Sequence, residues 1–215
     1  MIPLRVDVWS DLACPWCYIG KRRLDGAIAR HGAEVEVVWH SYELDPSAPA
    51  VRDDGLSQVQ RLAAKYRRTP EQAAAMVANV AATGAGDGLD LRFDLVRSGN
   101  TFDAHRALHF AAARGPTAPL TERLFRAYFT EGRALGDRAT LVELASEVGL
   151  PGDELAAALA TDAHAADVRA DEQQARELGV TGVPFFVLAG RIGVSGAQPT
   201  ETLVAALAEA GRLTA

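Results

Sequence analysis

The chain of 215 residues holds two cysteines, and they stand three apart as Cys14-Pro15-Trp16-Cys17. Thiols at that spacing either exchange electrons with a disulfide or bind a metal; in a chain with no other cysteine, structural stapling is the poorest reading. Cys14 falls where a short strand gives way to a helix, which puts it near the helix N-cap. Pro15 suits the first helical position, because its missing N–H had no partner to lose. The unpaired amides of the first turn and the positive end of the helix dipole then face the Cys14 sulfur, and both favour thiolate, the nucleophilic form. Cys17 lies on the same face one turn deeper, within reach of Cys14 but less exposed. The roles that follow are a nucleophile at Cys14, which forms a mixed disulfide, and a resolving thiol at Cys17, which displaces it.

A zinc reading stands beside this one. His105 and His109 lie four apart on one helical face, and with the two cysteines they would complete a Cys2His2 set. Pro15 and Trp16 at a helix start are unlike the knuckle turns that hold structural zinc. The expectation is therefore no metal, with the two histidines on a helix face packed against the motif. His31 reads as a solvated helix end, His40 as a strand end and His164 as a surface position, none with a function. Trp16, between the cysteines, reads as exposed and able to touch substrate or partner. Lys21, Arg22 and Arg23 read as a solvated helix face. A second informative stretch is Thr181-Gly182-Val183-Pro184-Phe185, a proline just before a strand. Alone it is an ordinary strand-start proline; its pairing with a strand–CxxC–helix opening gives it more weight.

The elements that must position these groups can be read from periodicity. Leu4 to Trp9 alternates as a strand, Pro15 to about Arg30 is helical with His31-Gly32 closing it, and Glu34 to His40 is a second strand. Strand–helix–strand implies two parallel strands joined by a right-handed crossover. From Ser57 to Leu178 the pattern is almost wholly helical. One helix covers Ser57 to Arg67, and another starts at Thr69 with Pro70 at its first position and Gln72 completing a capping box. Leu89 to Leu95 alternates as an extended segment. Helices then run from Phe102 to Arg114, Pro119 to Glu131, Arg138 to Val148, Asp153 to Ala160 and Ala163 to Leu178. Leu120, Leu124, Phe125 and Tyr128 form a core stripe, and Trp9 and Trp39 read as core. Val183 to Leu188, a turn at Ala189-Gly190 and Arg191 to Ser195 make a β-hairpin, followed by a closing helix from Pro199 to Gly211.

Strands at both ends of the chain must build one sheet, so the helical block is an insertion. The expected domains are residues 1–45 with 161–215, carrying the sheet, and an inserted helical domain of 46–160, with a groove between them as the natural substrate cleft. Hydrophobic residues at 48%, charged residues at 23% and a formal net charge of −6 describe an ordinary globular chain. Intrinsic disorder is excluded, and nucleic acid is a poor partner for an acidic protein with no basic run beyond Lys21-Arg22-Arg23. No stretch approaches a membrane span, and the start of the chain shows no leader pattern, so the expected location is cytoplasmic.

Trp9-Ser-Asp-Leu-Ala-Cys-Pro-Trp-Cys-Tyr-Ile-Gly-Lys21 resembles the opening of the cytosolic FrnE-type oxidoreductases, a DsbA-like branch of the thioredoxin superfamily with a helical insertion. Asn100-Thr-Phe-Asp-Ala-His-Arg-Ala-Leu-His109 and Gly179-Val-Thr-Gly-Val-Pro-Phe-Phe186 are similar to two further stretches of that family, in the expected order. The resemblance implies an α/β thioredoxin fold with a large all-helical domain inserted between its βαβ and ββα halves. It implies that Cys14 and Cys17 are the redox pair and Pro184 is a cis-proline facing the two sulfurs. It further implies that the Val183 backbone pairs with an extended substrate segment, and that Asn100, Thr101 and His105 reach the active-site groove from the insertion. The implied activity is thiol-disulfide exchange on protein or small-molecule disulfides, with no bound cofactor, glutathione as a candidate co-substrate, and a monomer or homodimer as the assembly. Some FrnE-type relatives carry a second cysteine pair that this chain lacks, so any relay must run through other molecules. Glutathione-dependent isomerases and kappa-class transferases share this layout but generally place serine at the Cys14 position; their chemistry is the alternative, and a non-catalytic zinc or partner-binding module is the third.

Overall fold

The computed structural model describes residues 3–32, 34–115 and 117–214. Met1 and Ile2, where a leader would begin, lie outside them. In chain order the elements are β1 (Leu4–Ser10), α1 (Pro15–His31), β2 (Val35–Ser41), α2 (Gln58–Tyr66), α3 (Pro70–Gly86), α4 (Phe102–Ala112), α5 (Ala118–Phe129), α6 (Arg138–Glu147), α7 (Gly152–Leu159), α8 (Ala165–Glu177), β3 (Phe185–Leu188), β4 (Ile192–Ser195) and α9 (Thr200–Thr214).

The four strands form one sheet in the order β2-β1-β3-β4. β1 pairs parallel with β2 and antiparallel with β3, and β3 pairs antiparallel with β4. This is the mixed α/β fold that the sequence implies, with a central strand from one end of the chain locked beside a strand from the other. Alternation explains the layers. Val6 and Val8, with Phe186 and Leu188, meet Leu24 of α1 and Leu203 and Leu207 of α9 in one core. Trp9, on the opposite face, packs with Ala175 and Val180 at the end of α8. A second core joins α4 to α7 and contains Leu120, Leu124, Phe125 and Tyr128, the stripe expected from spacing alone.

Local signals account for most boundaries. Gly32 closes α1 in the left-handed region, and Thr69 caps α3 through the reciprocal bond with Gln72. Ser57 and Gln60 make the same capping box on α2. Leu89 to Leu95 forms no strand. Leu89 and Leu91 are buried in the helical core, so their alternation reflects an irregular chain pressed against that core rather than a ladder. Trp9 is fully buried, whereas Trp39 is only half-buried.

One buried polar cluster ties the sheet to the helices. His40 of β2 stacks on Trp9 with ring centroids 4.4 Å apart. Its two ring nitrogens meet Asp171 of α8 at 2.7 Å and Asp7 of β1 at 2.8 Å. The other oxygen of Asp171 accepts from the Ser41 amide at 2.8 Å and pairs with His109 of α4 at 2.9 Å. His40 is thus a structural linchpin, not an idle strand end; spacing could not reveal this because its partners lie 33 and 131 residues away. Burial disfavours its charge, but the bonds to Asp171 and Asp7 outweigh that, and its pKa is pushed up to about 9. Burial likewise opposes charge on Asp171, and the two imidazoles outweigh it, holding the carboxyl well below the usual carboxylate range.

The sign for stability follows. A histidine whose pKa is raised by folding stabilises fully below its ordinary value near 6.5, and that contribution is lost as pH climbs through about 9. The amount is up to roughly 3 kcal/mol. Thermal melting between pH 6 and 9.5 should show the midpoint of the native protein falling with pH, and His40→Gln should start lower and lack most of that slope.

Candidate active site

The site is assembled from the end of β1, the start of α1 and the turn before β3. Cys14 is the N-cap residue of α1 with extended backbone, Pro15 follows at the first position, and no side chain caps the helix. The open first turn therefore faces the sulfur, as expected from the sequence. Cys14 and Cys17 are both free thiols, approaching within 3.4 Å of each other. The Cys17 sulfur is fully buried. Burial pushes its thiol well above the ordinary value, and the neighbouring Cys14 pushes the same way.

Pro184 comes to the thiols from the far end of the chain. The Val183–Pro184 peptide is cis. The Cys14 Sγ–H donates to the Val183 carbonyl oxygen at 3.7 Å, a contact across 169 residues. The Pro184 carbonyl accepts from the Gly196 amide at 2.8 Å, which ties this turn to the end of β4. Gly20 of α1 makes the approach feasible: a Cβ there would stand 2.8 Å from Pro184 Cγ and 3.2 Å from Phe186 Cζ. A helical glycine such as Gly20 carries no signal in the sequence of what lies opposite it.

Asp11 is a second group at the site whose role has no signature in the sequence. Its buried carboxylate accepts from the Ala13 amide at 3.1 Å, the Thr101 hydroxyl at 2.9 Å and the Leu44 amide at 2.7 Å. Its carbonyl accepts from the Cys14 amide at 3.0 Å. Burial would raise Asp11, but the nearby His105 ring and the amides of Leu44 and Ala13 outweigh it and hold the carboxyl below its usual range. The motif turn is thereby fastened to the loop after β2 and to the start of α4.

Of the three residues assigned to the groove from the insertion, Thr101 lines the cavity beside Cys14, while Asn100 and His105 do not. Asn100 accepts from the Phe102 amide at 2.8 Å, starting α4, and donates to Glu43 at 3.0 Å. His105 is buried behind the motif, with Nε2 3.7 Å from Asp11 Oδ1 and neither ring nitrogen hydrogen-bonded to a described residue. His109 instead joins the Asp171 cluster. No group of three or more His, Cys, Asp or Glu residues able to hold a metal occurs among the described residues. Lys21 also departs from expectation. It is buried rather than solvated, and it pairs with Glu122 of α5 at 2.7 Å and Asp25 at 2.8 Å. The Tyr18 hydroxyl donates to the same Glu122 at 2.8 Å.

Cys14, Pro15 and Trp16 open on a cavity of about 670 Å³ between the motif and α2 and α3. Trp16 is exposed at its edge. The arrangement can carry a nucleophilic thiol at a helix start, a second thiol sheltered behind it, and room for a reactant on one side.

Comparison with known proteins places the whole fold. Residues 5–208 match the model of the DSBA-like thioredoxin domain family. A probable DsbA oxidoreductase of Streptomyces coelicolor superposes with a TM-score of 0.89 at 46% identity, covering 97% of this chain and 90% of that one. 2-Hydroxychromene-2-carboxylate isomerase gives 0.71 at 16% identity, over 98% and 96% of the two chains. The cytosolic disulfide reductase DsbM of Pseudomonas aeruginosa gives 0.67 at 22% identity, over 98% and 100%. The last two likenesses are of fold.

Two outcomes follow from the packing. Gly20→Ala should destabilise the protein by about 1–3 kcal/mol, the usual cost of overpacking, as read by urea unfolding. Brief iodoacetamide labelling of the reduced protein at pH 8, followed by peptide mapping, should modify Cys14 before Cys17.

Proposed function

The chain belongs to the family of DSBA-like thioredoxin domains, a family of thiol oxidoreductases, and from that membership we propose that it exchanges disulfides through a Cys14–Cys17 pair. The observation that carries the proposal is the seat of Cys14 at the uncapped start of α1, with a second thiol within 3.4 Å. In the reducing direction the Cys14 thiolate attacks a substrate disulfide, forming a mixed disulfide and releasing one thiolate. The Cys17 thiol loses its proton and attacks Cys14 Sγ, releasing the second thiolate and closing the Cys14–Cys17 disulfide. Substrate gains two electrons and the protein loses two; the oxidising direction is the reverse.

Pro184 serves as the wall facing the sulfurs, and the Val183 backbone as the edge on which an extended substrate lies. Trp16 and Thr101 contact the reactant, whereas Asn100 and His105 act from behind, supporting the loop and α4. Protein thiols and disulfides are the proposed reactants, with glutathione as co-substrate; the cytosolic reductase DsbM has been solved with glutathione. The proposed working place is the cytoplasm. The isomerase or transferase alternative of the same fold leaves Cys17 without a role, which favours the dithiol reading.

Cys17→Ser decides between them. It should accumulate a stable mixed disulfide on Cys14, visible by mass spectrometry and reversed by dithiothreitol, and Cys14→Ser should form none. Full turnover by Cys17→Ser would contradict the proposal.

A further inference from the structure

Ser10 ends β1 and is buried, yet its hydroxyl has no hydrogen-bond partner among the described residues. A buried polar atom left unpaired is uncommon and costs free energy, so it calls for a use. Alternation along β1 shows where it points. Val6 and Val8 face α1, where they meet Leu24, and Ser10 follows them on that face. The first turn of α1 lies there, with the Cys17 sulfur fully buried. Ser41, beside Ser10 on β2, has its own hydroxyl against the His109 ring at 3.2 Å.

A thiol is a weak acceptor, whereas a thiolate is a strong one. Burial and the neighbouring Cys14 push the Cys17 thiol up, and the Ser10 hydroxyl and the Asp11 backbone amide draw it back down. The other titratable groups about the motif are the Asp11 carboxylate, His105 of α4, and Tyr18 and Lys21, both held to Glu122 of α5. Burial opposes charge on Asp11 and on Glu122, but their donors outweigh it and hold both carboxyls below the usual range. Neither is a ready acceptor for the Cys17 proton. What the buried sulfur has beside it is a donor fixed in advance, which stabilises charge as it develops.

We propose that Ser10 is the hydrogen-bond donor reserved for Cys17 in the resolving step, idle while that sulfur is protonated and engaged when it attacks the mixed disulfide. Cys17 loses its proton to water, and its thiolate forms a bond to Cys14 Sγ. The bond from Cys14 to the substrate sulfur breaks, and the substrate leaves as thiolate with the electron pair. Ser10 keeps its own proton throughout. The inference rests on the dithiol reading and assigns one further residue to it.

Stopped-flow reaction of the reduced protein with dithiobis(nitrobenzoate), a chromogenic disulfide, separates the two steps. Attack by Cys14 releases one coloured thiolate, and resolution by Cys17 releases the second. Ser10→Ala should leave the first phase, which Cys17 does not enter, at the native rate. At pH 7 it should slow the second phase about four- to fifteenfold. That is the worth of one hydrogen bond to a charged group, less the gain in nucleophilicity that a higher thiol pKa brings. The pH at which the second phase levels off should rise in Ser10→Ala, and Ser10→Thr, which keeps the hydroxyl, should restore most of the rate. Ser10→Ala should also melt no lower than the native protein, since it removes only an unpaired hydroxyl. A second phase at the native rate, or one slowed alike in Ser10→Ala and Ser10→Thr, would overturn the inference and leave dithiol exchange standing. Release of only one coloured thiolate by the native protein would overturn the dithiol reading, and this inference with it.

Discussion

Everything in this molecule turns on the contact between the Cys14 sulfur and the Val183 carbonyl, two groups 169 residues apart. It requires β1 and β3 to lie side by side, since Trp9 pairs with Phe185 just below the site. The chain must therefore run through β2 and the eight helices α1 to α8 between the two strands and return to the same sheet. It also requires α1 to pass close to the turn before β3, which Gly20 permits by offering no Cβ where Pro184 must sit. The fold holds the two halves of the candidate site together where β1 and β3 lie side by side.

Buried charge fixes how the helical layer sits on that junction. Lys21, one turn beyond Cys17, is sealed against Glu122 of α5, and Tyr18 reaches the same carboxylate. On the opposite face of the sheet Asp171 joins β2, α4 and α8 through His40, His109 and the Ser41 amide. Such pairs add little net stability relative to a well-packed apolar substitute, but removing one partner strands the other and costs several kcal/mol. Their effect is to make one arrangement of the layers far better than its neighbours. That arrangement opens the cavity beside Cys14.

What could be read from the sequence was local. The strand–CxxC–helix opening, the caps at Gly32 and Thr69, the hairpin and the stripe on α5 all follow from spacing over a few residues, and all are present. What could not be read depends on the partner opposite. Periodicity put Lys21, Arg22 and Arg23 on a helix face without showing that Glu122 of α5 meets the first two and Asp87 the third, and nothing around His40 announced two carboxylates from distant elements. Nothing around Asp11 announced its role, because its three donors come from its own turn, the loop after β2 and the start of α4. Leu89 to Leu95, read as an extended segment rather than a helix, is neither helix nor strand: alternation records which side is buried, not whether a neighbouring strand is present.

The central claim is that Cys14 and Cys17 form one reversible two-electron couple. Equilibrating the protein across a graded series of thiol–disulfide buffers, quenching with acid and counting alkylated cysteines by intact mass tests it most directly. The account predicts a single transition in which both thiols disappear together, fitted by a two-electron curve and reversed by excess dithiothreitol. Thiols that titrate one at a time, or that stay alkylatable at the oxidising end of the series, would contradict it.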